Sequence, residues 1–206
     1  MSIASLTGKT FLFFVLCALQ TNELSAQREH SVQVELFGAI GGASAVGSDL
    51  RGTIQGGGRL ALMYGIADGW ALGIAGMASA NISPADYNCL AVVHLDTGLT
   101  DPCPVYYRLS GTSLIVQRRF GGAGGDPRWR IGGGLGAFWV FPENRRDTSR
   151  FSETVSALGI NFELSKVVYR ADRMQFLVGV QEYVLPNVRS AVLTAQRLEI
   201  GASYRL

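Results

Sequence analysis

Residues 32–40, VQVELFGAI, alternate in character. Val32, Val34, Leu36 and Ile40 fall on one side, Gln33, Glu35 and Phe37 on the other. Successive side chains of a strand point to opposite faces, so a period of two marks a strand with one apolar and one polar face. This first strand is expected to end near Ser44. A second runs over 54–66, with Leu60, Leu62, Tyr64 and Ile66 opposite Arg59, Ala61 and Met63. The Ala67-Asp68-Gly69 turn leads at once into a third, 70–80, with Trp70, Leu72 and Ile74 opposite Ala71, Gly73 and Ala75. A fourth covers 106–120, and its parity shifts near Thr112-Ser113, which predicts a bulge there. The fifth, 128–141, sets Trp129, Ile131, Leu135, Ala137, Trp139 and Phe141 against Arg128, Arg130, Gly132, Gly134 and Gly136. In the sixth, 152–169, Leu158, Ile160, Phe162 and Leu164 oppose Gly159, Asn161, Glu163 and Ser165. After a turn at 170–173 the seventh, 174–184, sets Phe176, Val178 and Val180 against Gln175, Gly179 and Gln181. A loop over 185–190 precedes the eighth, 191–206, where Leu198, Ile200, Ala202, Tyr204 and Leu206 oppose Arg197, Glu199, Gly201, Ser203 and Arg205.

The connections alternate as the strands do. Those after the odd strands (45–53, 81–105, 142–151 and 185–190) are long and polar, and those after the even strands are short. Aromatic side chains sort to the strand ends. Tyr64, Trp70, Phe120, Trp129, Tyr169 and Tyr204 gather at the short-turn side, and Tyr107, Trp139, Phe141, Phe151 and Tyr183 near the long loops. Short turns at one end, long loops at the other and two aromatic belts belong to barrels that cross a bilayer. The expected fold is all-β, an eight-stranded antiparallel up-and-down transmembrane β-barrel.

The two faces then divide the chain's chemistry. The charged face carries Glu35, Arg59, Arg130, Glu163, Arg197, Glu199 and Arg205, diluted by Gly and Ala. An eight-stranded barrel is just wide enough inside for side chains to fill, and buried charges need partners, so these seven are expected to form interior ion pairs. A soluble lipocalin-type barrel would turn the same strands over, with the apolar face around a ligand and the charges in water.

Composition sharpens this. Only 17% of residues are charged, 26 are glycine, and the formal net charge is +2. The small charge, and the lack of any basic cluster with interleaved aromatics, argue against nucleic acid as a partner. Residues 1–26 read as a signal peptide. Lys9 provides the positive flank, 10–19 (TFLFFVLCAL) is an apolar run shorter than a bilayer span, and Ala26 is the small residue at the cut. Leu16, before Cys17, argues against a lipoprotein signal. The mature domain is then 27–206, exported, and it keeps Cys89 and Cys103 in the longest connection. Two cysteines in one polar loop of an exported chain predict a disulfide. A zinc site would have only His94 to add, so no metal or cofactor is expected.

The last eight residues resemble the C-terminal assembly signal of bacterial outer-membrane barrels, with Glu199, Gly201, Tyr204 and Leu206 in its four defined positions. Leu206 departs from the usual Phe. With the strand count and loop alternation, the chain resembles the small eight-stranded outer-membrane proteins: the OmpA transmembrane domain, OmpX and the opacity-type surface antigens. The resemblance covers about the whole mature chain. It implies an outer-membrane location, with outer-membrane lipid, the barrel-assembly machinery and an extracellular partner of the loops as contacts. The peptidoglycan-binding domain that follows the OmpA barrel is not implied, because the sequence ends at Leu206.

No catalytic set is readable. His30 precedes the first strand, and His94 lies in the long loop beside Asp96. Lipid A deacylases and palmitoyltransferases share the strand count, and His94 with Ser110 or Asp96 is the one arrangement that could be offered, but no nucleophile–base–orienter pattern stands out. The glycine runs 56–58, 121–125 and 132–134 lack the Lys-Ser/Thr of a phosphate loop. They read instead as strand curvature and interior space. The expected role is a structural or surface-interaction barrel acting through its outer loops. A narrow channel is the alternative and a lipid-modifying enzyme the more distant one.

Overall fold

The computed structural model describes residues 31–46, 54–67, 69–82, 106–121, 128–143, 154–188 and 191–206. They form eight strands: β1 (Val32–Val46), β2 (Ile54–Ala67), β3 (Trp70–Asn81), β4 (Tyr106–Phe120), β5 (Trp129–Glu143), β6 (Val155–Ala171), β7 (Met174–Val188) and β8 (Ala191–Arg205). Each pairs antiparallel with its sequence neighbours, and β1 pairs with β8, so the sheet closes on itself. Closure leaves no edge, the condition a sheet must meet to sit in lipid, where an unpaired N–H or C=O has no water to bond.

The register defines the barrel's shape. Paired positions run from Val32 to Tyr64, Leu72, Val116, Gly133, Phe162, Glu182 and Gln196, and return to β1 at Gly42, ten residues above the start. A stagger of that size round eight strands requires them to tilt by about 40° from the axis, in the middle of the usual barrel range.

Strand boundaries differ from the sequence expectation mainly in β7, which continues to Val188. The predicted loop 185–190 contracts to residues 189–190. The extension bends at a register shift between Leu185 and Val188, where Asn187 takes a φ of 61°. Asparagine tolerates this left-handed backbone better than most residues, and Pro186 before it gives the ladder no N–H. The predicted bulge at Thr112-Ser113 is absent. β4 pairs without a shift on both sides, and its odd-numbered residues from Tyr107 to Arg119 all point inward. The apparent change of parity was the onset of an apolar interior. Irregularities lie instead between Gly65 and Ala67 and between Val167 and Tyr169, each beside a turn. In the first turn Gly69 has φ 80°, and its carbonyl accepts the Arg119 N–H over 2.8 Å. A Cβ there would stand 2.7 Å from the Arg119 carbonyl oxygen, so the position demands glycine for both space and backbone.

The wall is turned inside out relative to a soluble barrel. Leu36, Leu114, Leu135, Leu158 and Ile200 are all more than 60% exposed, whereas Glu35, Arg59, Arg130, Glu163, Arg197 and Glu199 are buried to 5% or less. Such a continuous apolar exterior is an aggregation liability in water and a solvation shell in lipid. Trp70, Trp129 and Tyr204 face outward at the short-turn end, and Trp139 and Phe141 at the loop end. Arg118 lies over the Trp70 ring and Lys166 over Trp129, at 5.4 and 5.2 Å. These long side chains carry their charge toward the interface while their stems cover apolar surface.

Candidate functional site in the barrel interior

The interior is layered. Seen from the short-turn end, its first two thirds hold the buried charged and amide side chains, with two small apolar clusters, Ala61, Met63, Ala71, Ala75 and Ile115, and Phe37, Val167 and Leu177, between them. Arg59 Nη1 donates to Glu163 Oε2 over 2.7 Å, and Nη2 donates to Glu199 Oε2 over 2.9 Å. The guanidinium lies 4.3 Å over the Phe37 ring. Gln117 Nε2 donates to the other oxygen of Glu163 over 2.7 Å, and Arg119 Nε donates to Gln117 Oε1 over 2.8 Å. Arg119 also lies 3.9 Å from Glu35, and Arg130 bridges Glu35 and Gln175. One connected network therefore ties seven of the eight strands together. Only β3 adds no side chain to it, offering Ala71, Gly73 and Ala75, which leave room for the arginines of its neighbours.

Small residues make the network possible. A Cβ at Gly132 would stand 2.7 Å from Glu163 Oε1 and 2.8 Å from its Cγ. Gly132 thus holds open the space that Glu163 fills, while a Cβ at Gly134 would stand 2.6 Å from Asn161 Oδ1 and one at Gly136 2.8 Å from Ser113 Cβ.

Of the seven residues expected inside, the structure brings Glu35, Arg59, Arg130, Glu163 and Glu199 into the network. Arg197 is buried but stands apart. Its guanidinium lies 5.2 Å over the Tyr183 ring, and Nη1 and Nη2 have no hydrogen-bond partner among the described residues. Arg205 corrects the expectation. It has inward parity but is exposed, because it is the last residue of β8 and lies at the barrel mouth. Arg119 and Gln117 join the network without having been singled out from sequence. Counting inward from Ser113 in steps of two would have found both.

The outer third is apolar. Tyr107, Leu109, Phe138, Val140, Tyr183, Leu185 and Leu193 form one cluster, each at most 1% exposed, with Ala43, Met77, Val188 and Ala195 around them. Phe138 and Tyr183 meet edge to face at 5.5 Å. The Tyr183 hydroxyl donates to Gln181 over 2.6 Å, and the Tyr107 hydroxyl donates to the Ser44 carbonyl over 3.0 Å, so both phenols are satisfied while their rings stay buried in the interior. This corrects a second expectation: Tyr107 and Tyr183 are not part of the outer aromatic belt but point to the axis. β3 and β4 separate near the cluster, their ladder ending at Ala78–Ser110. The Ser79 hydroxyl then replaces the missing rungs, bonding both the N–H and the carbonyl of Leu109, and Gln55 donates to the Tyr107 carbonyl over 2.6 Å.

The remaining candidates fall elsewhere. Ser110 is half-buried on the outer wall, beside Trp139 in the register. Cys89, Cys103, His30, His94, Asp96, Phe151 and residues 1–26 lie outside the described residues. Glu199, Gly201, Tyr204 and Leu206 occupy the end of the chain beside β1, where the Leu206 N–H donates to the Val32 carbonyl over 3.0 Å.

No family model and no curated protein matches the sequence. Among solved structures the chain is similar to Neisserial surface protein A (NspA), at 14% identity and a TM-score of 0.57, covering 85% of this chain and 97% of that one. It is also similar to the N-terminal β-barrel domain of Pseudomonas aeruginosa OprF, at 13% identity and a TM-score of 0.55, covering 87% of this chain and all of that one. With strand count, closure and outward apolar wall in agreement, the chain has the fold of the small eight-stranded outer-membrane barrels.

Proposed function

We propose that this chain is an integral protein of the bacterial outer membrane, that its bore is sealed, and that it acts through the connections at its loop end. The observation that carries this reading is the apolar cluster in the outer third of the interior. A conducting barrel needs a continuous wet path. Here Tyr107, Phe138, Tyr183 and Leu185 fill the bore above the ion-pair network. Below them the arginines and glutamates are committed to one another, which makes the lower interior a brace between strands.

Residues 47–53, 82–105, 144–154 and 189–190 join strands at the loop end, against 68–69, 121–128 and 172–173 at the other, so the length at the loop end lies mainly in 82–105 and 144–154. The longest carries Cys89 and Cys103, and a bond between them would shorten the free loop that a partner meets. An enzymatic role would need His94 to find a partner on the rim. Ser110, facing the bilayer wall, is a poor one.

Two measurements test the reading. The purified protein should migrate differently on SDS gels before and after boiling, and planar bilayers containing it should show no unitary conductance. Discrete openings from the wild-type protein would replace the sealed-barrel reading with the channel. A protein that stays soluble without detergent would remove the membrane reading altogether.

A further inference from the structure

Outward residues of β7 and β8 are apolar up to one row. There Glu182 and Gln196 pair directly across the strands, and Gln196 Nε2 donates to Glu182 Oε1 over 3.2 Å. Both side chains are on the outer wall, and Gln196 is exposed. In the next outward row Ser44 and Thr194 share a 2.7 Å hydrogen bond. Beside Gln196 on β1, in the same row as the pair, is Gly42, where a Cβ would meet nothing within 4 Å. Four polar side chains and a notch thus lie across three adjacent strands.

The row lies within the membrane. Gln196 is eight residues above the belt residue Tyr204, which at about 3.3 Å per residue and a tilt near 40° is about 20 Å. Glu182 is six residues above Phe176, about 15 Å by the same arithmetic. The apolar band of an outer-membrane barrel is about 25 Å tall. Trp129 and Trp139 of β5, ten residues apart, span that distance. A carboxylate on this wall therefore faces hydrocarbon, where an ionisable group is expensive and has a partner or a purpose.

We propose that the β7–β8–β1 face is the interface of a dimer of this chain in the plane of the membrane. The pair is self-complementary. Gln196 spends one amide N–H on Glu182 and keeps a second, while the Glu182 carboxylate retains unused acceptor positions. A two-fold axis between β7 and β8 brings the Gln196 of each copy to the Glu182 of the other, as isologous contacts require. Gly42 lets the two walls approach, and small residues with interhelical-type hydrogen bonds are how proteins associate where lipid removes the hydrophobic drive.

The test is association of the full chain in phosphatidylcholine vesicles, read by energy transfer between labelled copies across a dilution series in lipid. The wild type should dimerise. The Glu182→Leu/Gln196→Leu double variant should weaken association at least tenfold, with the boiling-dependent gel shift unchanged. Glu182→Gln should stay within threefold of wild type, because an amide still accepts and donates. Gly42→Leu, which fills the notch and leaves the pair intact, should weaken association as the double variant does. A wild type that is monomeric throughout overturns the proposal. So does a double variant that associates like wild type, or association that appears only when an amine-bearing phospholipid is added. The last outcome would make the pair a lipid headgroup site.

Discussion

Arg59 Nη1 meets Glu163 Oε2 at 2.7 Å in the middle of the barrel, although 104 residues separate them in the chain. The same guanidinium holds Glu199, so removing it strands two carboxylates in a site from which water is largely excluded. Arg59→Leu is expected to destabilise the barrel by about 3–5 kcal/mol, the usual cost of leaving a buried charge without its partner. Glu163→Gln keeps the shape and one hydrogen bond and should cost less. Denaturant unfolding into and out of lipid vesicles, followed by tryptophan fluorescence, measures both. Equal stability of Arg59→Leu and wild type would show that the network adds nothing.

The outer wall gives a depth-dependent prediction. Leu135 is 68% exposed and stands near the middle of the apolar band on β5. Leu135→Arg should cost about 2–4 kcal/mol, and an arginine near the belts about 0–1 kcal/mol. In a soluble barrel the same outward leucine would accept arginine at no cost. Unfolding free energies of Leu135→Arg and Tyr204→Arg in vesicles compare the two depths, and equal losses would contradict the membrane placement.

Glycine positions separate interior from exterior by a single methyl. Gly132→Ala pushes a Cβ against Glu163 and should cost about 1–3 kcal/mol, the range for an overpacked site. Gly76 faces the other way, with nothing within 4 Å of an added Cβ, and Gly76→Ala should change stability by less than about 0.5 kcal/mol. Thermal melts in detergent rank the two, and the reverse order would mean that the face assignment of β5 or β3 is wrong.

The proposal of a sealed bore predicts a gain of conductance. Phe138→Ala with Tyr183→Ala removes the edge-to-face pair at the core of the outer cluster. The double variant should lose several kcal/mol, since each aromatic-to-alanine change in a core costs about 3–5 kcal/mol. Where it still shows the gel shift it should admit water and pass ions, while the wild type stays silent. A silent double variant would place the barrier in the ion-pair network instead.

Much of the architecture was legible in the chain. Alternation located eight strands, and turn residues such as Asp68-Gly69 and Asp172 marked the tight end, because strand period and turn chemistry are local properties. Arg197 shows where local reasoning ends. Its parity placed it inside, but parity does not say which charges share a height on the axis. Its ring neighbour there is Tyr183, and the carboxylate two residues along the same face, Glu199, accepts its hydrogen bond from Arg59 instead. The interior cluster was hidden for a related reason. On β5 the inward Phe138 and Val140 alternate with outward Ala137, Trp139 and Phe141, so the alternation fades, and on β4 it reverses, with Leu109 inward between Arg108 and Ser110.

The sequence by itself determined that this protein is a set of two-faced strands joined by unequal loops, since side-chain direction and turn geometry depend on a few neighbouring residues. Only the tertiary structure decided how those faces meet. A closed sheet with a ten-residue stagger carries Arg59 to Glu163 and Glu199, turns Tyr107 and Tyr183 to the axis, and brings Glu182 beside Gln196 on the lipid side. Those contacts follow from the shear of the whole barrel, a property that belongs to all eight strands at once and to no segment alone.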